Sequence, residues 1–212
     1  MSARVICLSR AIRSGADEVA ALVGKELGFR CVDEEVIARA AELRQVDPAA
    51  VADAEKRKSF LERVFEDIGV GGGMSGYGTG HIPDPGVLPP RSDELRALIR
   101  SAIEEIAEEG KVVIVAHAAS YALGKRGDVL RALVTGSLAV RAGRLAAAEG
   151  KSAQEAAQAV RQSDASRADY LKRFYQVDRE LPEHYDLCVS TDVMTVEHAA
   201  TQIVAAARAI HG

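Results

Sequence analysis

Tryptophan is absent from this sequence, and phenylalanine and tyrosine leave aromatics at only 4%. A core built almost without large rings must be filled by small aliphatic side chains, which suits helices packed closely on a parallel sheet. Net charge is small: 27 Lys and Arg against 31 Asp and Glu give −4. This excludes a global attraction to nucleic acid or anionic lipid. An anionic ligand must therefore be held by a local cluster of basic groups and backbone amides. Cysteine is scarce as well. Cys7, Cys31 and Cys188 lie far apart, cannot all pair as disulfides, and lack the spacing of a zinc site. They read as buried thiols in a reducing compartment, and no metal site is expected. Long hydrophobic runs are missing too. The apolar run at residues 5–8 is too short for a signal peptide, and nothing approaches membrane-spanning length. The expectation is a cytoplasmic protein with neither nucleic acid nor membrane as partner.

What is present is a regular alternation. Hydrophobic residues make up 48% of 212, enough for one domain with a full core. Short apolar runs at 4–8, 29–32, 112–115, 129–135 and 187–190 read as strands. Between them the spacing predicts helices over 16–27, 34–43, 48–68, 92–109, 138–149, 152–175 and 196–210. Gly28, Gly110 and Gly150 act as stops, Asp47-Pro48 as a start, and Ser152 with Glu155 as a capping box. Residues 69–80 hold seven glycines, and 83–90 hold four of the six prolines. This composition marks an insertion at about 69–91 with no regular structure. The alternation resumes after it, so residues 1–212 are expected to form a single domain. The expected fold is α/β: three layers, with a parallel five-stranded sheet and helices on both faces. Ligands in such sheets bind at the carboxyl ends of the strands. That directs attention to residues 9–15, Asp33, residues 116–119 and the loops after Thr135 and Thr191.

The first of these loops, SRAIRSGADEVA, lies between a strand and a helix, where amides and the helix dipole can converge on phosphate. The usual nucleotide loop is G-x-x-x-x-G-K-[ST]. Here Gly15 fits, Ala16 stands in the place of the lysine, and Asp17 and Glu18 follow where a hydroxyl is expected. By itself the stretch is equally a plain strand-to-helix turn with a bend at Ser14-Gly15.

A second candidate is the charged helix at 152–175. Arg161, Asp164 and Arg167 are spaced three apart and are expected to share a face, with Lys172 and Arg173 further along. On spacing alone this is a solvated face laced with weak ion pairs. As a functional set, helix-borne arginines that fold over phosphates would supply the charge that phosphoryl transfer needs. Arg141 and Arg144 are expected on a helix surface, Arg131 in a structural role, and Tyr185-Asp186 as an anchor for the last strand.

Three stretches carry a resemblance. They are LSRAIRSGADEVAALVGKELGFRCVDEEVI, then VVIVAHAASYALGKRGDVLRALVTGSLAVRAGRL, then QSDASRADYLKRFYQVD through YDLCVSTDVMTVEHAA. In this order they resemble the cytidylate kinase-like family, relatives of bacterial CMP kinases, over nearly the whole chain and least across residues 45–95. The resemblance implies a P-loop kinase-like fold with a helical lid, ATP as donor with Mg2+ carried by the nucleotide, and CMP or dCMP as acceptor. It also implies site residues. The family's first loop is similar to S-R-x-x-G-S-G-G, which aligns Ser9, Arg10, Arg13, Ser14, Gly15 and Ala16 as the phosphate cradle. Arg161, Asp164 and Arg167 become the catalytic set on the lid, and Asp33 and His117 become acceptor-binding residues. From the residues alone, Asp33 serves equally as a helix cap.

The sequence departs from the family at two places. Arg13 and Ala16 replace glycines, which serve there for positive φ or close phosphate approach. Ala116, His117, Ala118 and Ala119 stand where the family tends to show Gly-Arg-Gly-Ala. These departures leave three expectations open: a kinase for CMP or dCMP, a nucleotide-binding sensor or scaffold that has lost phosphoryl transfer, and a kinase for another small acceptor. The insertion would then be a closing flap or a connector. The apolar stripe of the 48–68 helix offers a surface for homodimerisation.

Overall fold

The computed structural model describes residues 2–33, 36, 39, 92–115 and 118–210. Strand β1 (Val5–Arg10) leads into α1 (Ala16–Leu27) and β2 (Arg30–Val32). After the undescribed stretch come α2 (Ser92–Glu109), β3 (Val112–Val115), the short α3 (Ala119–Leu123) and β4 (Val129–Thr135). Helices α4 (Leu138–Glu149) and α5 (Ala153–Tyr175), a 3-10 turn at Pro182–His184, β5 (Leu187–Ser190) and α6 (Val196–Ala209) complete the order. The five strands form one sheet in the order β2-β3-β1-β4-β5, and every pairing is parallel.

Side-chain alternation along β1 builds both layers. Val5 and Cys7 point to one face, where Ile99, Ile103 and Ile106 of α2 cover them. Ile6 and Leu8 point to the other, against Val19 and Val23 of α1 and Ile203 and Val204 of α6. Each fully buried aliphatic side chain contributes about 1.5–3 kcal/mol of transfer free energy. Strand β3 is apolar at all four positions because both its faces are covered.

The helix ends follow local chemistry. Gly28 and Gly150 close α1 and α4 in the left-handed conformation. The Ser152–Glu155 capping box opens α5. Asp186 accepts two hydrogen bonds from the Arg131 guanidinium, at 3.1 and 2.6 Å, and one from the Arg131 amide at 2.9 Å. This locks the start of β5 to β4.

Helices α4 and α5 pack against each other around a small cluster of their own, Ala142, Leu145, Ala156 and Val160. Ile12, from the loop after β1, joins that cluster. The hairpin therefore contacts the candidate phosphate loop through Ile12, while Tyr175 at the end of α5 packs against the sheet core.

Two expectations are corrected. Of the three thiols only Cys7 is buried; Cys31 and Cys188 are exposed. Cys7 lies on the central strand, whereas the other two lie on β2 and β5, the two edges of the sheet. Arg141 is not a surface residue: it is 6% exposed. Val36 and Arg39 are helical. The rest of the 34–43 helix, the 48–68 helix with its apolar stripe, and the Gly/Pro insertion at 69–91 lie outside the described residues. Among the described residues no helix is long and apolar enough to cross a membrane.

Candidate functional site

The loop after β1 turns tightly, with the Ser14 amide donating to the Ala11 carbonyl at 3.1 Å. Arg13 and Gly15 both have left-handed backbones, at φ 57° and 79°. Gly15 is required twice over. Its φ suits glycine, and a Cβ there would sit 2.9 Å from Val196 Cγ1. Helix α1 then starts at Ala16 with no side-chain cap. Its first backbone bond runs from the Val19 amide to the Gly15 carbonyl, so the amides of Ala16, Asp17 and Glu18 have no partner within the helix. The Ser14 hydroxyl is buried and has no hydrogen-bond partner among the described residues. Uncapped amides and an orphaned hydroxyl at a positive helix end fit an anion of phosphate type.

These groups border a cleft of about 790 Å³. The β1–α1 loop forms one wall, and Arg144 and Glu149 of α4 with Ser163, Asp164 and Arg167 of α5 form the other. Each arginine in the cleft already has an acceptor in the protein. Arg10 pairs with Asp17, and with Asp33 at 3.3 Å. Arg13 pairs with Glu149 at 2.8 Å. Arg144 donates to the Thr191 carbonyl at 2.7 Å, the Thr191 hydroxyl at 2.9 Å and the Arg13 carbonyl at 3.3 Å. The Thr191 hydroxyl in turn donates to the Ser14 carbonyl at 2.8 Å. Arg167 forks onto Glu180 at 2.9 and 2.7 Å and reaches the Tyr185 hydroxyl at 3.2 Å.

Electrostatics follow from these pairs. Burial pushes the Glu180 carboxyl up, but hydrogen bonds and charge from Arg167 outweigh it and leave the group below its ordinary value. Burial works against the Arg167 charge, and Glu180 more than restores it. Tyr185, which also donates to Glu180, is pushed well up, first by burial, and stays a neutral donor.

The structure brings Arg10, Arg13, Ser14, Gly15, Ala16, Asp164 and Arg167 to one cleft. Ser9 stands one step back, its hydroxyl 3.1 Å from that of Ser120, both buried. Asp33 connects to the loop through Arg10. Arg161 is exposed and does not border the cleft. Three residues turn a helix through about 300°, so two such steps leave Arg161 and Arg167 about 120° apart; the shared face holds for neighbours only. His117 lies outside the described residues.

Asp164 is taken by neither Arg161 nor Arg167. It receives both arms of Arg141, at 2.8 and 2.7 Å, while Arg141 Nε donates to the Gly136 carbonyl. Arg141 and Arg144 follow β4 at its carboxyl end and were expected on a helix surface, whereas Arg141 is buried and Arg144 borders the cleft. Glu149 and Glu180 were not singled out in the sequence. Nothing local marks Glu149 or Glu180 as cleft residues, because the arginines they hold, Arg13 and Arg167, lie well away in the sequence. Among the described residues no group of three or more His, Cys, Asp or Glu converges as a metal site.

Over residues 5–193 the sequence matches the cytidylate kinase-like family. The chain belongs to that family. No curated protein matches it significantly. Among solved structures, an uncharacterized protein from Eubacterium ventriosum shares the fold at a TM-score of 0.64 and 15% identity, covering 97% of this chain and 98% of the other. Shikimate kinases from Bacteroides thetaiotaomicron and Acinetobacter baumannii, the latter in complex with shikimate, align at TM-scores of 0.48 with 13% and 11% identity. They cover 94% and 95% of this chain, and 95% and 91% of their own.

Within this cytidylate kinase-like chain the departures from the family pattern take a definite form. Arg13 and Ala118 occupy two of the glycine positions, and both hold positive φ, 57° and 52°. The backbone that glycine would adopt is kept, at a cost of about 1–2 kcal/mol for each side chain. Ala16 is the first residue of α1 and needs no such conformation.

Proposed function

We propose that this chain transfers a phosphoryl group from ATP to a small monophosphate, with CMP or dCMP as acceptor. One observation carries the reading: the uncapped start of α1 and the orphaned Ser14 hydroxyl face a cleft shared with arginines from the loop and from α5. The loop at residues 9–16 would hold the donor phosphates through its amides and the Ser14 hydroxyl. Arg10 sits at the loop's edge. Arg167, on the lid helix, would bring positive charge to the transferring group, and transfer of this kind rests on positioning and charge. Asp164 would orient the lid through Arg141. Arg161 would join only if α5 turned or closed over bound nucleotide. Asp33 and His117 are assigned to the acceptor side, and Mg2+ to the nucleotide itself. We place the activity in the cytoplasm, in a single domain of residues 1–212 that includes the 69–91 insertion.

A second reading has its own observation. The arginines of the cleft are already engaged by groups of the protein, and no lysine follows Gly15. A nucleotide-binding sensor or scaffold that no longer transfers phosphate would tolerate both features.

Calorimetric titration with ATP, with and without magnesium, and with CMP and dCMP, followed by an assay for diphosphate products, separates the two. Binding with turnover supports the kinase. Binding without turnover supports the sensor. No binding of any nucleotide removes both.

A further inference from the structure

We propose that Arg13 is the side-chain cation of the phosphate loop, filling the part of the lysine that Ala16 leaves vacant, and that Glu149 holds its guanidinium until phosphate exchanges with it. The inference rests on the phosphate-binding reading of this cleft and names the residue that gives the loop its charge.

Four observations lead to it. First, the Arg13 backbone is held in place by other elements. Its φ of 57° is one that L-residues avoid, and Arg144 of α4 donates to its carbonyl at 3.3 Å. Through Thr191 the same arginine is linked to the Ser14 carbonyl. An arginine kept in a glycine conformation beside the loop's orphaned hydroxyl has a fixed base from which to swing its side chain.

Second, Arg13 and Glu149 border the same cleft as Ser14 and Gly15. The guanidinium is therefore within the space that a bound anion would enter.

Third, the pair is easily exchanged. Its side chains are 39% and 37% exposed, so water screens it and it holds weakly. A phosphate offers more charge and matches the guanidinium fork. Arg167 and Glu180, at 22% and 23% exposure and with Tyr185 as a further partner, are held more firmly.

Fourth, the exchange strands no charge. Glu149 Oε2 is also bound by Lys151 Nζ at 2.9 Å, so the carboxylate keeps a cation when Arg13 leaves.

The test uses the full chain and calorimetric affinities for two probes, inorganic tripolyphosphate and ATP, in the wild type, Arg13→Gln, Glu149→Gln and the double variant. Arg13→Gln is expected to weaken tripolyphosphate binding about tenfold or more, the usual loss for a hydrogen bond to a charged group. Glu149→Gln is expected to tighten it severalfold, and to have no effect once Arg13 is Gln. The two single changes thus have opposite signs, and the Glu149 effect vanishes once Arg13 is gone. A purely structural pair does not produce this signature, since breaking such a pair from either side weakens binding alike. An Arg13→Gln affinity equal to wild type, or additive effects of the two changes, overturns the inference. If tripolyphosphate binding depends on Arg13 while ATP does not bind, the inference stands and the nucleotide reading fails. If ATP binds regardless of Arg13, the nucleotide reading stands and the inference fails. Binding of neither probe overturns both.

Discussion

The sheet core and the α4–α5 hairpin are held together by different physics. Around β1 the contacts are dry and aliphatic, with Ile6, Leu8, Ile103 and Ile114 fully buried. The hairpin has a cluster of its own of four buried residues, two of them alanine. It anchors its far end through buried Leu171 and through Tyr175 on the sheet core, and adds polar contacts of arginine along the cleft. Arg141 grips Asp164, Arg144 grips Thr191, and Arg167 grips Glu180. Apolar packing is non-directional and tolerates no voids, which suits a scaffold. Ion pairs at a partly wet cleft are weaker and can exchange partners, which suits a part that must answer to a ligand. The cleft lies where the two kinds of contact meet.

The largest effect should come from breaking the scaffold. Ile103→Ala, in a fully buried site between α2 and the sheet, is expected to cost about 2–5 kcal/mol and to lower the thermal midpoint of the whole chain. The hairpin should respond differently. Arg141→Met leaves Asp164 unpaired, and the expected cost is about 2 kcal/mol, less than for a fully buried pair because Asp164 remains wet. Hydrogen exchange should show that loss in α4 and α5 and leave β1 and β3 unchanged.

A smaller effect separates the two regions by pH. Glu180 has its folded pKa below its unfolded value of 4.5. Its stabilising contribution is therefore complete above about pH 5 and is lost as pH falls through the folded value. Wild type should exceed Glu180→Gln in thermal stability at neutral pH, and the gap should close on acidification. A gap that stays constant down to pH 3 would show that the ionisation of Glu180 contributes nothing to that stability. The smallest effect tests the glycine-like backbone. Ala118→Gly should raise stability by up to about 1 kcal/mol, because relief at φ 52° outweighs the added freedom of the unfolded chain. A loss of stability would mean that the site is not strained.

What was legible in the sequence follows the same division. Apolar runs such as 112–115 and stops such as Gly28 and Gly150 marked the scaffold elements, because periodicity and helix ends are local properties. The parallel sheet covered on both faces followed from them. The hairpin's chemistry was harder to read, because an arginine's partner depends on where distant segments return. Arg167 meets Glu180 across the end of α5, and Arg141 takes Asp164, which was expected to form one set with Arg161 and Arg167. Exposure of Cys31 and Cys188 required the strand order, which places both at the sheet edges. The positive φ of Arg13 and Ala118 was hidden because neither residue type favours it; only comparison with the family's glycines pointed to those positions.

The most direct test of the account is hydrogen exchange of the full chain with and without saturating ATP and magnesium. The account predicts slowed exchange in two separate segments, residues 13–18 at the start of α1 and residues 160–170 of α5, with the sheet core unchanged. Nucleotide binding that leaves both segments at their free rates would contradict the assignment of this cleft as the phosphate site.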